Sequence, residues 1–206
     1  GLIYMLTYLP SGLLADRVAP RILMSFSLLL AGLLGIWFAS MPSAAALTVI
    51  FAGWGLAAGL TFWSALIKAT TLLANPEEQG RFFGILEGGR GLVEAVLASV
   101  AVGVFAYSIN ELGQDTPDAL RKVIWLYVAV MLAFVPISYF MLGVSEPGAF
   151  KGTPTVVRHW RADVKVIVQK EQIWLCGVCI LTGYQLFWAT YSFSAYMQNV
   201  ARELQA

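Results

Sequence analysis

Residues 44–74 read AAALTVIFAGWGLAAGLTFWSALIKATTLLA, and Lys68 is the one charged residue in this run. About 20 apolar residues in a helix cross the roughly 30 Å hydrocarbon core of a bilayer, so the run predicts a transmembrane helix. The rest of the chain has the same character. Of its 206 residues, 59% are hydrophobic and 12% are charged, and the charged share is about half that of soluble domains. The sequence therefore predicts a polytopic membrane protein.

Further apolar runs are separated by short clusters of charged residues. Four of them are long enough to span a bilayer: 22–39, 82–109, 123–142 and 173–197. Residues 1–9 are too short and read as the end of a helix, so we expect the chain to be an internal piece of a longer protein. The runs lack the alternation of a membrane barrel, and an open sheet edge is not satisfied in lipid. The predicted fold class is all-α.

Basic residues are distributed unequally between the loops. Loops 10–21, 75–81 and 143–172 hold eight Lys and Arg residues, whereas loops 40–43, 110–122 and 198–206 hold three. Because cytoplasmic loops carry the excess of basic residues, we expect the first set to face the cytoplasm of a bacterial plasma (inner) membrane.

The segment 143–172 differs from the other loops. It opens with Gly and Pro residues that break helices and continues as an amphipathic stretch suited to a membrane surface. We interpret it as a cytoplasmic linker between a transmembrane bundle at 1–142 and a further helix at 173–206.

Several function classes lack support in the sequence. A net charge of +1 provides no basic surface for nucleic acid. Cys176 and Cys179 form a C-x-x-C inside an apolar helix, without thioredoxin-like context, and read as core thiols. His159, the single histidine, lies in a loop, so neither a metal site nor an intramembrane protease is indicated. No phosphate-cradling loop of an ATP-driven pump occurs. We expect no enzyme activity, no catalytic residue, no metal and no cofactor.

Residues 12–21, GLLADRVAPR, follow the first partial helix. A small residue at Gly12 permits close helix approach, Asp16 can accept hydrogen bonds from a helix start, and Arg17 and Arg21 stay at the cytoplasmic face. The stretch resembles the loop signature of the major facilitator superfamily: a Gly, three residues, an Asp and a basic residue, then a Gly and further basic residues. The two positions before Arg21 depart from this signature, where a Gly and a basic residue are usual.

This resemblance implies a secondary transporter of twelve helices that works by alternating access. Gly12, Asp16, Arg17 and Arg21 would belong to a latch that holds its two halves together in one conformation. The signature joins helices two and three, so the chain would hold the end of helix two, helices three to six, the central linker and helix seven. The expected partners are a small-molecule solute, a coupling proton and the lipid bilayer, with a monomeric full-length protein.

Four ionisable residues lie inside the predicted spans: Lys68, Glu87, Arg90 and Glu94. An ionisable group at membrane depth costs several kcal/mol, so each needs a partner or a water-filled cavity. At about 100° per residue, the last three share one helix face. They form either a self-neutralising structural network or the wall of a solvated cavity.

Polar residues on two other faces extend this candidate site. Lys68 lies at a depth similar to that of Glu87, and Thr61, Ser64 and Thr71 share a stripe with it. The resemblance favours the cavity, because helices four and five line it in that family. Gln185 and Trp188 share a face of the last span, which the resemblance puts on the opposite side of the cavity.

Charge alone does not identify the solute. An anion would pair with Lys68 and Arg90 and leave a carboxylate to carry a proton, whereas a neutral sugar would hydrogen-bond across the same groups. The expected function is proton-coupled uptake (symport) of a sugar or an organic anion. The alternatives are a transporter-like membrane sensor and a drug or metabolite efflux antiporter. The fifth helix lacks the glycine–proline signature of drug antiporters. Four of its glycines predict close helix packing, with local hinging as the alternative: Gly84, Gly88, Gly89 and Gly91.

Overall fold

The computed structural model describes residues 2–75, 77–144, 169–172, 174–175, 177–179 and 182. The elements are α1 (Leu2–Arg17), α2 (Pro20–Ala39), α3 (Ala44–Leu56), a π-helical turn (Ala57–Phe62), α4 (Trp63–Leu73), α5 (Gln79–Asn110) and α6 (Thr116–Val144). The π-turn joins α3 and α4 into one 30-residue helix. Among the described residues, four helices are long and apolar enough to cross a membrane: Pro20–Ala39, Ala44–Leu73, Gln79–Asn110 and Thr116–Leu142. The predicted all-α membrane fold is confirmed.

The first helix is longer than predicted. Residues 10–21 were expected to form a loop, but α1 continues through Pro10 and ends at Arg17. Proline removes one backbone N–H from a helix, and a membrane helix tolerates it where side chains and neighbouring helices satisfy the freed backbone groups. Beside Pro10, the Ser11 hydroxyl donates to the Tyr8 carbonyl at 2.6 Å, a side-chain bond within the same helix. The prediction of a loop is therefore wrong for 10–17.

The ends of α2 follow from its sequence. Pro20 occupies the first turn, where its missing N–H costs no hydrogen bond, and Ala19 before it is extended. Beyond Ala39, Met41 has a φ of 50°, a left-handed conformation that ends the helix. Pro42 follows, so the chain turns sharply into α3.

Helix α2 packs closely against α6 because two of its glycines face that helix. A Cβ atom built on Gly35 would lie 2.6 Å from Val128 Cγ2, and one built on Gly32 would lie 2.6 Å from Leu132 Cδ2. The bare backbone therefore lets α6 approach to a distance that alanine would prevent. Ser25 adds a polar contact, since its hydroxyl lies 2.9 Å from that of Ser138.

Helix α5 is far less covered. Only Ala101 and Ser108 are buried along it. No atom of the described residues lies within 4 Å of a Cβ built on any of the glycines predicted to pack closely. The prediction of close packing for Gly84, Gly88, Gly89 and Gly91 is therefore not met within the described chain, because none of its helices α1–α6 covers their side of α5.

The chain divides into two units, Gly1–Gly152 and Thr153–Ala206. Within the second unit, residues 171–172, 174–175, 177–179 and 182 are helical. The rest of the predicted span 173–197, including Gln185 and Trp188, lies outside the described residues. The amphipathic part of the predicted linker 143–172 lies outside them as well.

Candidate functional site

Arg90 and Glu87 form an ion pair on α5. Arg90 Nη2 lies 2.5 Å and Nε 3.0 Å from the same oxygen, Glu87 Oε2. The spacing of three residues puts the two side chains one turn apart on one face. Their side chains are 45% and 51% exposed within the described chain. The structure thus brings together two of the four charges that the sequence singled out, in an accessible position.

Trp63 joins this pair from the neighbouring helix. The guanidinium carbon of Arg90 lies 5.7 Å from the centroid of the Trp63 ring. A cation at this distance over an aromatic face is attracted by the negative centre of the ring. The contact connects α4 with α5 and orients the guanidinium between a ring and a carboxylate. We call Trp63, Glu87 and Arg90 the Arg90 cluster.

Sequence reasoning did not select Trp63. One signal was available, since an aromatic ring stands two residues after Thr61 within an apolar span. An aromatic residue there reads equally well as a lipid-facing side chain. Glu94 lies two turns beyond Glu87 on α5 and is exposed.

Lys68 contacts a different part of the chain. Its ammonium donates to the carbonyl oxygen of Ala15, near the end of α1. The last carbonyls of a helix lack partners within the helix, and a cation is favoured at that end. Lys68 is half-buried and fastens α4 to the end of α1, a contact that the sequence did not reveal.

The hydroxyls of the predicted stripe differ in burial. Thr61 is buried and donates to the Ala57 carbonyl at 2.8 Å. Thr71, in contrast, is exposed and donates to the Ile67 carbonyl at 2.9 Å. The Ser64 hydroxyl is buried, and among the described residues it has no hydrogen-bond partner. The common role of these hydroxyls in a solute site stays a prediction.

Small residues explain why the helix widens at this point. Four of them recur at every fourth position and are buried: Ala57, Thr61, Ala65 and Ala69. In an α-helix each step of four residues overshoots a full turn by about 40°, so three steps would carry the stripe about 120° around the helix. A π-turn holds more residues per turn and keeps the small residues on one side. The spacing of four was a readable signal in the sequence.

The residues of the loop signature separate into two groups. Asp16 and Arg17 are exposed at the end of α1. Arg21 instead lies with its guanidinium carbon 5.7 Å from the Tyr139 ring centroid, which ties α2 to α6. No atom of the described chain lies within 4 Å of a Cβ built on Gly12, so the close helix approach expected there is not made within that part of the chain.

Comparison with known proteins agrees with this architecture. The family model of the Major Facilitator Superfamily matches residues 1–204. The "Inner membrane protein YihN" of Escherichia coli (strain K12) is 29% identical over 196 residues, which are 90% of this chain and 43% of that protein. The "Inner membrane protein YqcE" of the same organism is 24% identical over 204 residues, covering 99% of this chain and 46% of that protein.

A third relative is the "Uncharacterized protein MG294 homolog" of Mycoplasma pneumoniae, 31% identical over 209 residues, covering 94% of this chain and 44% of that protein. The chain thus spans less than half the length of these relatives. No solved structure matches it significantly. The family match extends over nearly the whole chain, and the described helices are those of a multi-pass membrane protein. The chain belongs to the major facilitator superfamily.

Proposed function

We propose that the full-length protein is a secondary transporter that takes up a small polar solute, a sugar or an organic anion, together with a proton. The Arg90 cluster is the observation that carries this proposal. It combines a cation, a carboxylate and an aromatic face inside two membrane-spanning helices.

The energetics of the membrane support a solute site rather than a purely structural pair. A charge at the bilayer centre costs several kcal/mol unless it is paired or faces a water-filled cavity. Arg90 and Glu87 form one pair, yet both side chains keep about half of their surface exposed. A guanidinium held in this way can donate hydrogen bonds to a solute carboxylate or hydroxyl.

The proposed coupling uses carboxylates on the same helix. Glu94 stands about 10 Å beyond Glu87 along α5, from seven residues at about 1.5 Å each. One of these two carboxylates carries the proton while Arg90 contacts the solute. Ser64 lies one residue beyond Trp63, and its buried hydroxyl is a further polar contact for the solute.

The proposed latch contains fewer residues than the four that the sequence predicted. Asp16 and Arg17, exposed at the end of α1, are the residues that contact the second half of the transporter. Arg21 packs on Tyr139 within the same bundle, which supports a role in fastening α2 to α6. Lys68 supports the latch through its contact with Ala15.

The proposed location is a bacterial inner membrane. Two relatives carry the name inner membrane protein. The excess of basic residues in loops 10–21, 75–81 and 143–172 supports a cytoplasmic position for those segments.

Uptake by the full-length protein in proteoliposomes tests the proposal. D-Glucose and D-glucuronate serve as a neutral and an anionic probe of similar size, alongside a set of other sugars and carboxylates. We expect saturable uptake of either the sugars or the carboxylates. Uptake should be faster when the solution outside the vesicles is more acidic than their lumen. Arg90→Gln should abolish that uptake.

Arg121→Gln is the matched control. Arg121 also pairs with a carboxylate three residues away, Asp118, and its side chain is likewise 45% exposed. It lies on α6, away from the Arg90 cluster, so the variant should retain uptake. Uptake of none of these solutes, or equal uptake by Arg90→Gln and wild type, contradicts the proposal.

A further inference from the structure

The π-turn between α3 and α4 is held by two hydroxyl groups. The carbonyl oxygen of Ala57 accepts hydrogen bonds from Ser27 Oγ and Thr61 Oγ1, both at 2.8 Å. Ser27 belongs to α2, so one of the two donors comes from a different helix. Ser27 and Thr61 are only 4% and 3% exposed. A buried hydroxyl that donates to a backbone carbonyl stabilises the backbone geometry that presents that carbonyl.

The π-turn determines which way α4 faces. An α-helix rotates about 100° per residue, so one extra residue in a turn changes the direction of every later side chain by about that angle. Trp54, before the turn, donates from its indole nitrogen to the Ala31 carbonyl at 3.0 Å and is fixed against α2. Trp63 follows nine residues later and would stand about 180° away in a regular α-helix.

With the π-turn, the angle between the two tryptophans falls to about 80°. This orientation is the one in which the Trp63 ring meets the Arg90 guanidinium. The geometry of the turn and the position of Trp63 are therefore linked.

We propose that Ser27 is a positioning residue for the Arg90 cluster. Its hydroxyl stabilises the π-turn, the turn sets the rotation of α4, and that rotation holds the Trp63 ring against Arg90. The effect of Ser27 on transport rests on the proposed function, because the Arg90 cluster is the solute site proposed above. The structural link itself does not depend on a transported solute.

Ser25 provides a matched control two residues away. It is also a buried serine of α2, 7% exposed, and its hydroxyl also bonds to another helix. That helix is α6, where Ser138 Oγ lies at 2.9 Å and the Val135 carbonyl oxygen at 3.3 Å, so the polar contacts of Ser25 are directed to α6 rather than to Ala57. Ser25→Ala and Ser27→Ala each remove interhelical hydrogen bonding of a buried serine, but only the second removes it from Ala57.

The test is ¹⁹F NMR of the full-length protein in nanodiscs, with 5-fluorotryptophan at every tryptophan position. Trp63→Phe identifies the Trp63 resonance by its disappearance. Arg90→Gln then gives the position of that resonance when the cation has left the ring. We expect Ser27→Ala to move the Trp63 resonance toward the Arg90→Gln position and Ser25→Ala to leave it in place.

A second pair of variants isolates the hydroxyl from the shape of the side chain. Thr and Val have nearly the same shape, so Ser27→Thr should keep the Trp63 resonance closer to its wild-type position than Ser27→Val does. If Ser27→Ala leaves the resonance unchanged, or if Ser25→Ala moves it equally, the inference is overturned. Equal spectra for the Thr and Val variants overturn it as well.

Transport measurements separate this inference from the proposed function. If the resonance moves as expected but the protein takes up no solute, the positioning role stands and the transporter proposal fails. If uptake is saturable and depends on Arg90 while the resonance is insensitive to Ser27, the transporter proposal stands and the positioning role fails.

Discussion

Replacing Trp63 with Leu removes the aromatic ring that faces the Arg90 guanidinium and leaves an apolar side chain in its position. A cation–π contact stabilises by about 0.5–1 kcal/mol at exposed sites and by about 2 kcal/mol or more when it is desolvated. The centroid distance is 5.7 Å and the Arg90 side chain is 45% exposed, so a value of about 1 kcal/mol is appropriate. Since about 1.4 kcal/mol corresponds to a factor of ten, we expect about a fivefold weaker interaction with the solute.

The loss should be visible in KM, because Trp63 orients Arg90 before the solute arrives and does not itself carry a proton. Uptake kinetics of the full-length protein in proteoliposomes measure it. Trp63→Phe keeps an aromatic ring and should fall between wild type and Trp63→Leu. Trp125→Leu is the control, because Trp125 is a tryptophan of α6, outside the Arg90 cluster. An unchanged KM in Trp63→Leu, or an equal rise in Trp125→Leu, would refute the reasoning.

Three further predictions concern packing, the α1–α4 contact and orientation. Gly35→Ala should destabilise the protein by up to about 2 kcal/mol. Overpacking costs about 1–3 kcal/mol, and the higher helix propensity of alanine offsets about 1 kcal/mol of that cost. A Cβ atom built on Gly103 meets no atom of the described residues within 4 Å, so Gly103→Ala should leave the unfolding temperature unchanged or raise it. A lower unfolding temperature for Gly103→Ala than for Gly35→Ala would contradict the packing. Lys68→Gln should lower the unfolding temperature and leave KM for the solute unchanged. A raised KM would indicate instead that Lys68 contacts the solute. In a cysteine-free background, Glu77→Cys should resist an impermeant thiol reagent in intact cells whereas Glu111→Cys reacts, and the opposite pattern would reverse the orientation.

The membrane spans were predictable because hydrophobic length is a property of the sequence itself. The runs at 22–39 and 82–109 appear as α2 and α5 with ends within three residues of the prediction, whereas α6 begins at Thr116, seven residues before the run 123–142 and inside the predicted loop 110–122. Glycine, proline and charged residues mark most of these ends. The pairing of Glu87 with Arg90 was predictable for the same reason, since a spacing of three residues puts both on one helix face.

The remaining features depend on contacts between helices. The continuation of α1 through Pro10 requires neighbours that satisfy its backbone, and a local pattern treats proline as a break. The direction of Trp63 depends on a π-turn that a regular helical period cannot represent. The contact of Lys68 with Ala15 joins residues 53 positions apart in the chain, and the sequence gives no indication of that pairing.

The central claim is that the charges of the Arg90 cluster serve the solute rather than the fold. Arg90→Gln alone leaves the Glu87 carboxylate without its cation, so the unfolding temperature and uptake should both fall. The double variant Arg90→Gln with Glu87→Gln removes both charges, so the most direct measurement is its unfolding temperature together with its solute uptake in proteoliposomes. The account predicts that stability returns while uptake stays abolished. Restored uptake in the double variant would contradict it, because the charges would then have been only structural.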